Sequence, residues 1–266
     1  MGFLIIKVTL VFIHMSHSQN ITKYATMTNM IEIIHEEKDF VIINKPAGLI
    51  THSDGRKKEE IDSVASQILK LYPETKEVGE QDDKFERYGI VHRLDLETSG
   101  VMIIARNQEF YTYIKEQFKS HKVEKEYRAI VYGHFKSPKG CIQESIGRSQ
   151  SDFRKYVCGR FARGELREAI TYFEVLEEFE KKGVKYAYVS VSPKTGRTHQ
   201  IRVHMKHINH GILADKLYMP NHKDNLGLKR QALHAFKITF VDMENKERVF
   251  EALLPADMLD LITQIC

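Results

Sequence analysis

The tightest constraint on the fold is the placement of short β-rich runs next to one another along the chain. Ile31–His35 and Phe40–Asn44 are separated only by the charged turn Glu36–Asp39. Ala169–Leu176 and Tyr186–Val191 lie around the turn Lys181-Lys182-Gly183, and Leu233–Val241 and Arg248–Ala252 around another polar turn. Val101–Ala105 reads as a buried strand, and Glu124–Tyr132 alternates as a strand. Helical spacing is rarer. Ile61–Leu71 places Ile61, Val64, Ala65, Ile68, Leu69 and Tyr72 on one face, and Gln108–Phe118 does the same with Phe110, Tyr111, Ile114 and Phe118. Thr198–Lys206 predicts a third helix, capped by Thr198, with Ile201, Met205 and Ile208 along one side. Strands outnumber helices and adjoin in sequence, so the class is α+β with a mixed, largely antiparallel sheet.

Composition removes other classes. Hydrophobic residues make up 42% of the 266 and the formal charge is only +4, which excludes extended disorder. Three cysteines, far apart and odd in number, exclude a disulfide scaffold and fit a reducing compartment. The small net charge is a sum of opposed regions. Glu32–Glu86 holds 8 basic and 14 acidic residues, and Ile238–Cys266 holds 2 and 6. Arg106–Lys139 holds 8 and 4, and Lys194–Lys237 holds 9 and 2. The middle and later parts therefore predict a positive surface, which is either a solvated face or a site for an anionic partner. Residues 1–30 are unlike the rest. Gly2–Ile13 is apolar but too short to span a membrane, and it lacks the basic start and cleavage site of a secretory signal. They read as a leader outside the folded protein, which then occupies residues 31–266.

The richest stretch is Tyr88–Val101. Arg93 and Asp95 stand two apart, so in an extended loop they face one site, and Thr98-Ser99-Gly100 makes a tight turn into the following strand. A carboxylate held this way suits a nucleophile or general base. The same residues also fit a structural Arg–Asp pair. A second cluster, Pro193–His204, opens a helix with Arg197 and Arg202 in its first turns, a place for phosphate or carboxylate or simply a capped surface helix.

Taken together the motifs resemble the RluA-type pseudouridine synthase family. The blocks are Asn44-Lys45-Pro46-Ala47-Gly48, then H-R-L-D-x-x-T-S-G at His92–Gly100, then Lys125-x-Tyr127-x-Ala129-x-Val131-x-Gly133, then Thr195–His204, then Leu233-His234-Ala235. All seven fixed positions of the nine-residue block are matched, and the resemblance runs from about Ile31 to Asp257. It departs at Asn209-His210-Gly211-Ile212-Leu213-Ala214-Asp215, where the family usually has G-H-P-I-x-G-D, which implies a loop of different shape.

The resemblance implies a pseudouridine synthase fold with the catalytic cleft across the sheet. It also implies isomerisation of specific uridines in RNA to pseudouridine, without cofactor or metal. By position, the resemblance implies that Asp95 is the catalytic aspartate, attacking sugar or base, and that Arg202 pairs with it and keeps it ionised. It likewise implies that Tyr127 lies against the uracil and moves the proton from carbon 5. The resemblance also implies that Arg93 holds the flipped-out nucleotide or fills its vacated place in the RNA, with Arg197, Lys194 and Ile201 as further substrate-binding residues, Arg197 and Lys194 supporting the loop or contacting phosphate. His92 and His199 are structural. Arg148, Arg154, Lys155, Arg160, Arg163 and Arg167 add a mobile basic wall for RNA. About thirty residues before the catalytic start are too few for an S4-type RNA-binding domain, so the chain resembles stand-alone members, which serve transfer RNA and large-subunit ribosomal RNA. A cytoplasmic monomer with no membrane contact and no obligate protein partner is expected. Two other classes compete with this reading. His199, His204, His207 and His210 invite a metal hydrolase, but their spacings of 5, 3 and 3 lack a metalloprotease pattern. A non-catalytic RNA-binding or assembly protein on the same fold has no need of Asp95, Tyr127 and Arg202 together.

Overall fold

The computed structural model describes residues 29–53, 62–80, 87–222 and 224–263. The expected leader falls outside them except for residues 29 and 30. Glu32–Glu36 (β1) and Phe40–Lys45 (β2) form the first hairpin, and β2 pairs antiparallel with Ser99–Ala105 (β3). β3 is buried along its whole length, which is why its sequence shows no alternation. Val64–Leu71 (α1) and Gln108–Lys119 (α2) contribute apolar faces to the core that surrounds these strands. The first helix runs from Val64, where Ser63 and Ser66 form a capping box; Ile61, the expected start, lies outside the described residues.

The rest of the large sheet is built from Glu124–Tyr132 (β4), Lys139–Gln143 (β5), Ile170–Lys181 (β9), Val184–Pro193 (β10), Leu233–Val241 (β11) and Glu247–Glu251 (β12). Its order is β1-β2-β3-β11-β4-β10-β9-β5, with β12 beside β11. Every pairing is antiparallel except β3 with β11. That parallel contact is short, Ser99 opposite His234 and Gly100 opposite Ala235, and it forms a seam in the middle of the sheet. Gly100 has φ +121°, and a Cβ there would collide with the Ala235 carbonyl oxygen, so only glycine closes the seam. One apolar core lies on each side of it, and the Tyr127 ring packs against both.

Two expectations change. The third helix (α3) is Gln200–His207, and its N-terminal flanking residue is His199 at φ +58° with no side-chain cap, so Thr198 does not cap it. The basic wall, read in the sequence without strands, contains a three-stranded sheet of Ile146–Ser149 (β6), Tyr156–Cys158 (β7) and Ala162–Arg167 (β8). It packs through Ile146 and Cys158 on Val203 of α3 and on Tyr218. A last helix, Ala256–Thr263 (α4), adds Met258 and Leu261 to the second core.

Candidate active site

The loop that precedes β3 is pinned from both sides of the seam. From β2, the Lys45 ammonium donates to the carbonyls of Pro46 (2.9 Å), Leu49 (2.7 Å) and Leu96 (3.2 Å). Gly48 N–H reaches Leu96 O, and the Thr51 hydroxyl donates to Leu94 O. From the β11 side, Gln231 donates to the Thr98 hydroxyl at 2.7 Å, and Ser99 shares a 2.9 Å hydrogen bond with His234. The distant motif blocks thus converge on one short loop. Burial draws the Lys45 pKa down to about 7, while the charge of Asp95 works the other way.

That loop presents Arg93 and Asp95 to a cleft of about 570 Å³. Arg202, Arg197 and Ile201 line the cleft from the α3 side and Tyr127 from β4. Lys194 does not line it; its side chain is exposed beside Thr195. Arg202 Nη1 donates to Asp95 Oδ2 at 2.9 Å, which leaves Asp95 Oδ1 for a substrate. The rest of the guanidinium grips Asp215 in a fork, Nε to Oδ2 at 2.7 Å and Nη2 to Oδ1 at 2.9 Å. Asp215 is 1% exposed and also accepts from the backbone N–H groups of Leu217 and Tyr218. Burial opposes the charge on Arg202, and the hydrogen bonds and charges of Asp215 and Asp95 more than restore it. Asp95 is therefore an acceptor fixed through one oxygen by a cation that is itself fixed.

Tyr127 has its phenol pushed well above the ordinary range by burial and by the Asp95 charge. It is neutral at rest, so it can take a proton only as its own leaves. His199, expected to be structural, stands with Nε2 3.9 Å from Asp95 Oδ2 and lines the cleft. Its Nδ1 is 2.9 Å from the Tyr218 hydroxyl, which in turn accepts from Tyr156 N–H of β7. With the Tyr218 hydroxyl donating to Nδ1, the neutral ring carries its proton on Nε2, toward Asp95. His92 accepts from Ile103 N–H at 3.1 Å and stacks on Phe118.

Reading the sequence assigned no role to Asp215, Tyr218 or Lys125, although the first closes the block that departs from G-H-P-I-x-G-D and the last opens the block that carries Tyr127. Lys125 lines the cleft, its pKa drawn down to about 8 by burial and by Lys194. The departures in that block have a geometric meaning. Asn209 (φ +64°) and Ala214 (φ +60°) keep left-handed backbone where the family usually has glycine. Gly211, in place of proline, makes room for Met219, whose sulfur occupies the space a Cβ would need. The clustered histidines do not converge. His204 bonds Thr171 and Glu144 O, and His210 bonds Tyr132 O and stacks on Phe135.

Comparison with known proteins places this geometry. The family model described as RNA pseudouridylate synthase matches residues 39–207. Ribosomal large subunit pseudouridine synthase D of Blochmanniella floridana is 34% identical over 87% of this chain and 72% of its own length. The Neisseria meningitidis serogroup B protein of the same name is 34% identical over 88% of this chain and 60% of its length. The chain thus spans well short of the full length of these relatives. Among solved structures, Human RNA Pseudouridylate Synthase Domain Containing 4 aligns with TM-score 0.67 and 26% identity, covering 87% of this chain and 92% of that one.

Proposed function

The chain belongs to the RNA pseudouridylate synthase family, and on that premise we propose that it isomerises uridine in RNA to pseudouridine with Asp95 as the catalytic carboxylate. The C1′–N1 bond breaks, the uracil turns, and a C1′–C5 bond forms; C5 gives up its proton and N1 ends protonated, so the composition of the RNA is unchanged. The uridine must leave the base stack to enter the cleft. The observation that carries the reading is the Asp95–Arg202–Asp215 arrangement: one oxygen of Asp95 is held at 2.9 Å by a buried, doubly anchored guanidinium. That preorganisation holds the carboxylate in place and aimed before substrate arrives. Tyr127 packs beside it, and its neutral phenol suits a concerted relay of the C5 proton. Arg93, Arg197 and Ile201 contact the flipped nucleotide, and Lys194 reaches phosphate from outside the cleft.

The names of the relatives favour large-subunit ribosomal RNA over transfer RNA as substrate. We place the protein in the cytoplasm as a monomer, with residues 31–266 as its catalytic unit and residues 1–30 as a leader. Among the described residues no helix is long and apolar enough to cross a membrane. The test is Asp95→Asn, assayed for release of tritium from C5 of uridine in RNA and, separately, for RNA binding. Loss of release with binding retained is expected. Release at the wild-type rate would overturn the assignment of Asp95. Binding by the wild type without release from any RNA of its own cell would favour a non-catalytic binder.

A further inference from the structure

The three-stranded sheet β6–β8 is built unlike the rest of the molecule. Its own strands bury only Ile146 and Cys158 among large apolar or thiol side chains, against Val203 and Tyr218. Yet it exposes Phe153 (71%) and Phe161 (64%), two of the most exposed large hydrophobic side chains among the described residues. Two exposed aromatic rings on one small element offer flat apolar faces to a partner. Each aromatic residue has an arginine at hand: the Phe153 carbonyl accepts from Arg148 at 3.3 Å. The Arg160 guanidinium lies 5.1 Å over the Phe161 ring. Arg160 and Arg163 form no ion pair with another described residue, whereas Arg154 and Arg167 are occupied by Asp152 and Glu165. Flat apolar rings beside unneutralised guanidinium groups are complementary to a ligand with flat π faces and regularly spaced negative charge.

Resting on the reading of the cleft as an RNA site, we propose that β6–β8 is an arm that binds unpaired nucleotides flanking the target uridine, Phe153 and Phe161 stacking on bases and Arg160 and Arg163 meeting phosphates. The substrate class is then looped or single-stranded RNA. A paired A-form segment satisfies the arginines but hides its base faces, so it leaves both rings uncovered. The arm's base is joined to the cleft. Tyr156 of β7 donates to the Tyr218 hydroxyl that contacts His199, and Arg197 donates to Glu168 O just beyond β8. Nucleotides on the arm are thereby neighbours of the uridine beside Asp95.

The chain contains no tryptophan, so Phe153→Trp supplies a single fluorescent reporter on the arm. Its emission is measured with a hairpin carrying a uridine-containing loop and with a fully paired duplex of equal length. Quenching by the hairpin and not by the duplex is expected. The Phe153→Ala/Phe161→Ala variant loses about 10- to 100-fold in hairpin affinity and none in duplex affinity. Arg160→Gln with Arg163→Gln weakens both RNAs alike and flattens the salt dependence. Unchanged hairpin affinity in the double alanine variant, together with an unquenched indole in the Phe153→Trp variant, overturns the arm even if the wild type converts uridine. A wild type that binds neither RNA overturns the arm and the RNA reading of the cleft together.

Discussion

The cleft wall and the β6–β8 arm solve opposite problems. In the cleft, the groups around Asp95 are buried and held by more than one partner: Arg202 by two carboxylates, Asp215 by a guanidinium and two backbone amides, the Asp95 loop by Lys45 and Gln231. On the arm, the aromatic and basic groups are exposed and some are unpartnered. The contrast follows from the roles proposed for each. A carboxylate that reacts at one atom must be placed before the substrate comes, whereas a surface that follows a looped chain gains from side chains left free to adjust.

Breaking the cleft has the largest expected effect. Arg202→Met leaves Asp95 and Asp215 without their shared cation, costs about 3–5 kcal/mol of stability, and lowers the rate of isomerisation by about 10²- to 10³-fold. Thermal denaturation and single-turnover kinetics check the two parts. Stability within about 1 kcal/mol of wild type would show that the cluster is not the fixed unit described. Asp215→Asn keeps the shape but releases one side of the fork. It lowers the saturated rate about 10- to 100-fold with the half-saturating RNA concentration nearly unchanged; the reverse split would make Asp215 a substrate contact.

Acid sharpens the comparison, because neutral buried histidines hold the seam. His234 bonds Ser99 and Ala252 O, and burial draws its pKa down to about 4. The unfolded chain binds that proton at about 6.5, so the stability His234 provides is full above that pH and is lost as the pH falls toward 4. The loss reaches about 3 kcal/mol from this group. Denaturant midpoints from pH 7 to pH 4 check it, and His234→Asn, which cannot be charged, flattens the slope. The smallest effect is at Ala214→Gly. Relief of the left-handed alanine at φ +60° stabilises by about 0.5–1 kcal/mol after the glycine's extra chain entropy, and a lowered melting temperature would contradict it.

The same contrast decides what the sequence could reveal. β2, β3, β4 and β11 were legible because strands buried in a central sheet carry β-branched and aromatic runs. The candidate site was legible through its motif blocks, which marked Asp95, Tyr127 and Arg202. The arm was not, since the stretch from Gly147 to Glu168 is rich in arginine and glycine and its strands bury almost nothing, so no apolar period exists to be read. α3 was half legible. Its periodicity shows Ile201 and Met205 toward one core but hides that Val203 serves another and that His204 is wholly buried. Asp215 was invisible as a partner of Arg202, because an ion pair between a helix and a later loop leaves no periodic trace.

The division of labour between the two regions is tested most directly by single-turnover kinetics over a range of looped-RNA concentrations, with Asp215→Asn and Phe153→Ala/Phe161→Ala measured side by side. The cleft variant should lose saturated rate with little change in half-saturation. The arm variant should raise the half-saturating concentration about tenfold or more and move the saturated rate far less. Equal losses in both parameters for both variants would contradict a rigid chemical cleft served by a separate binding arm.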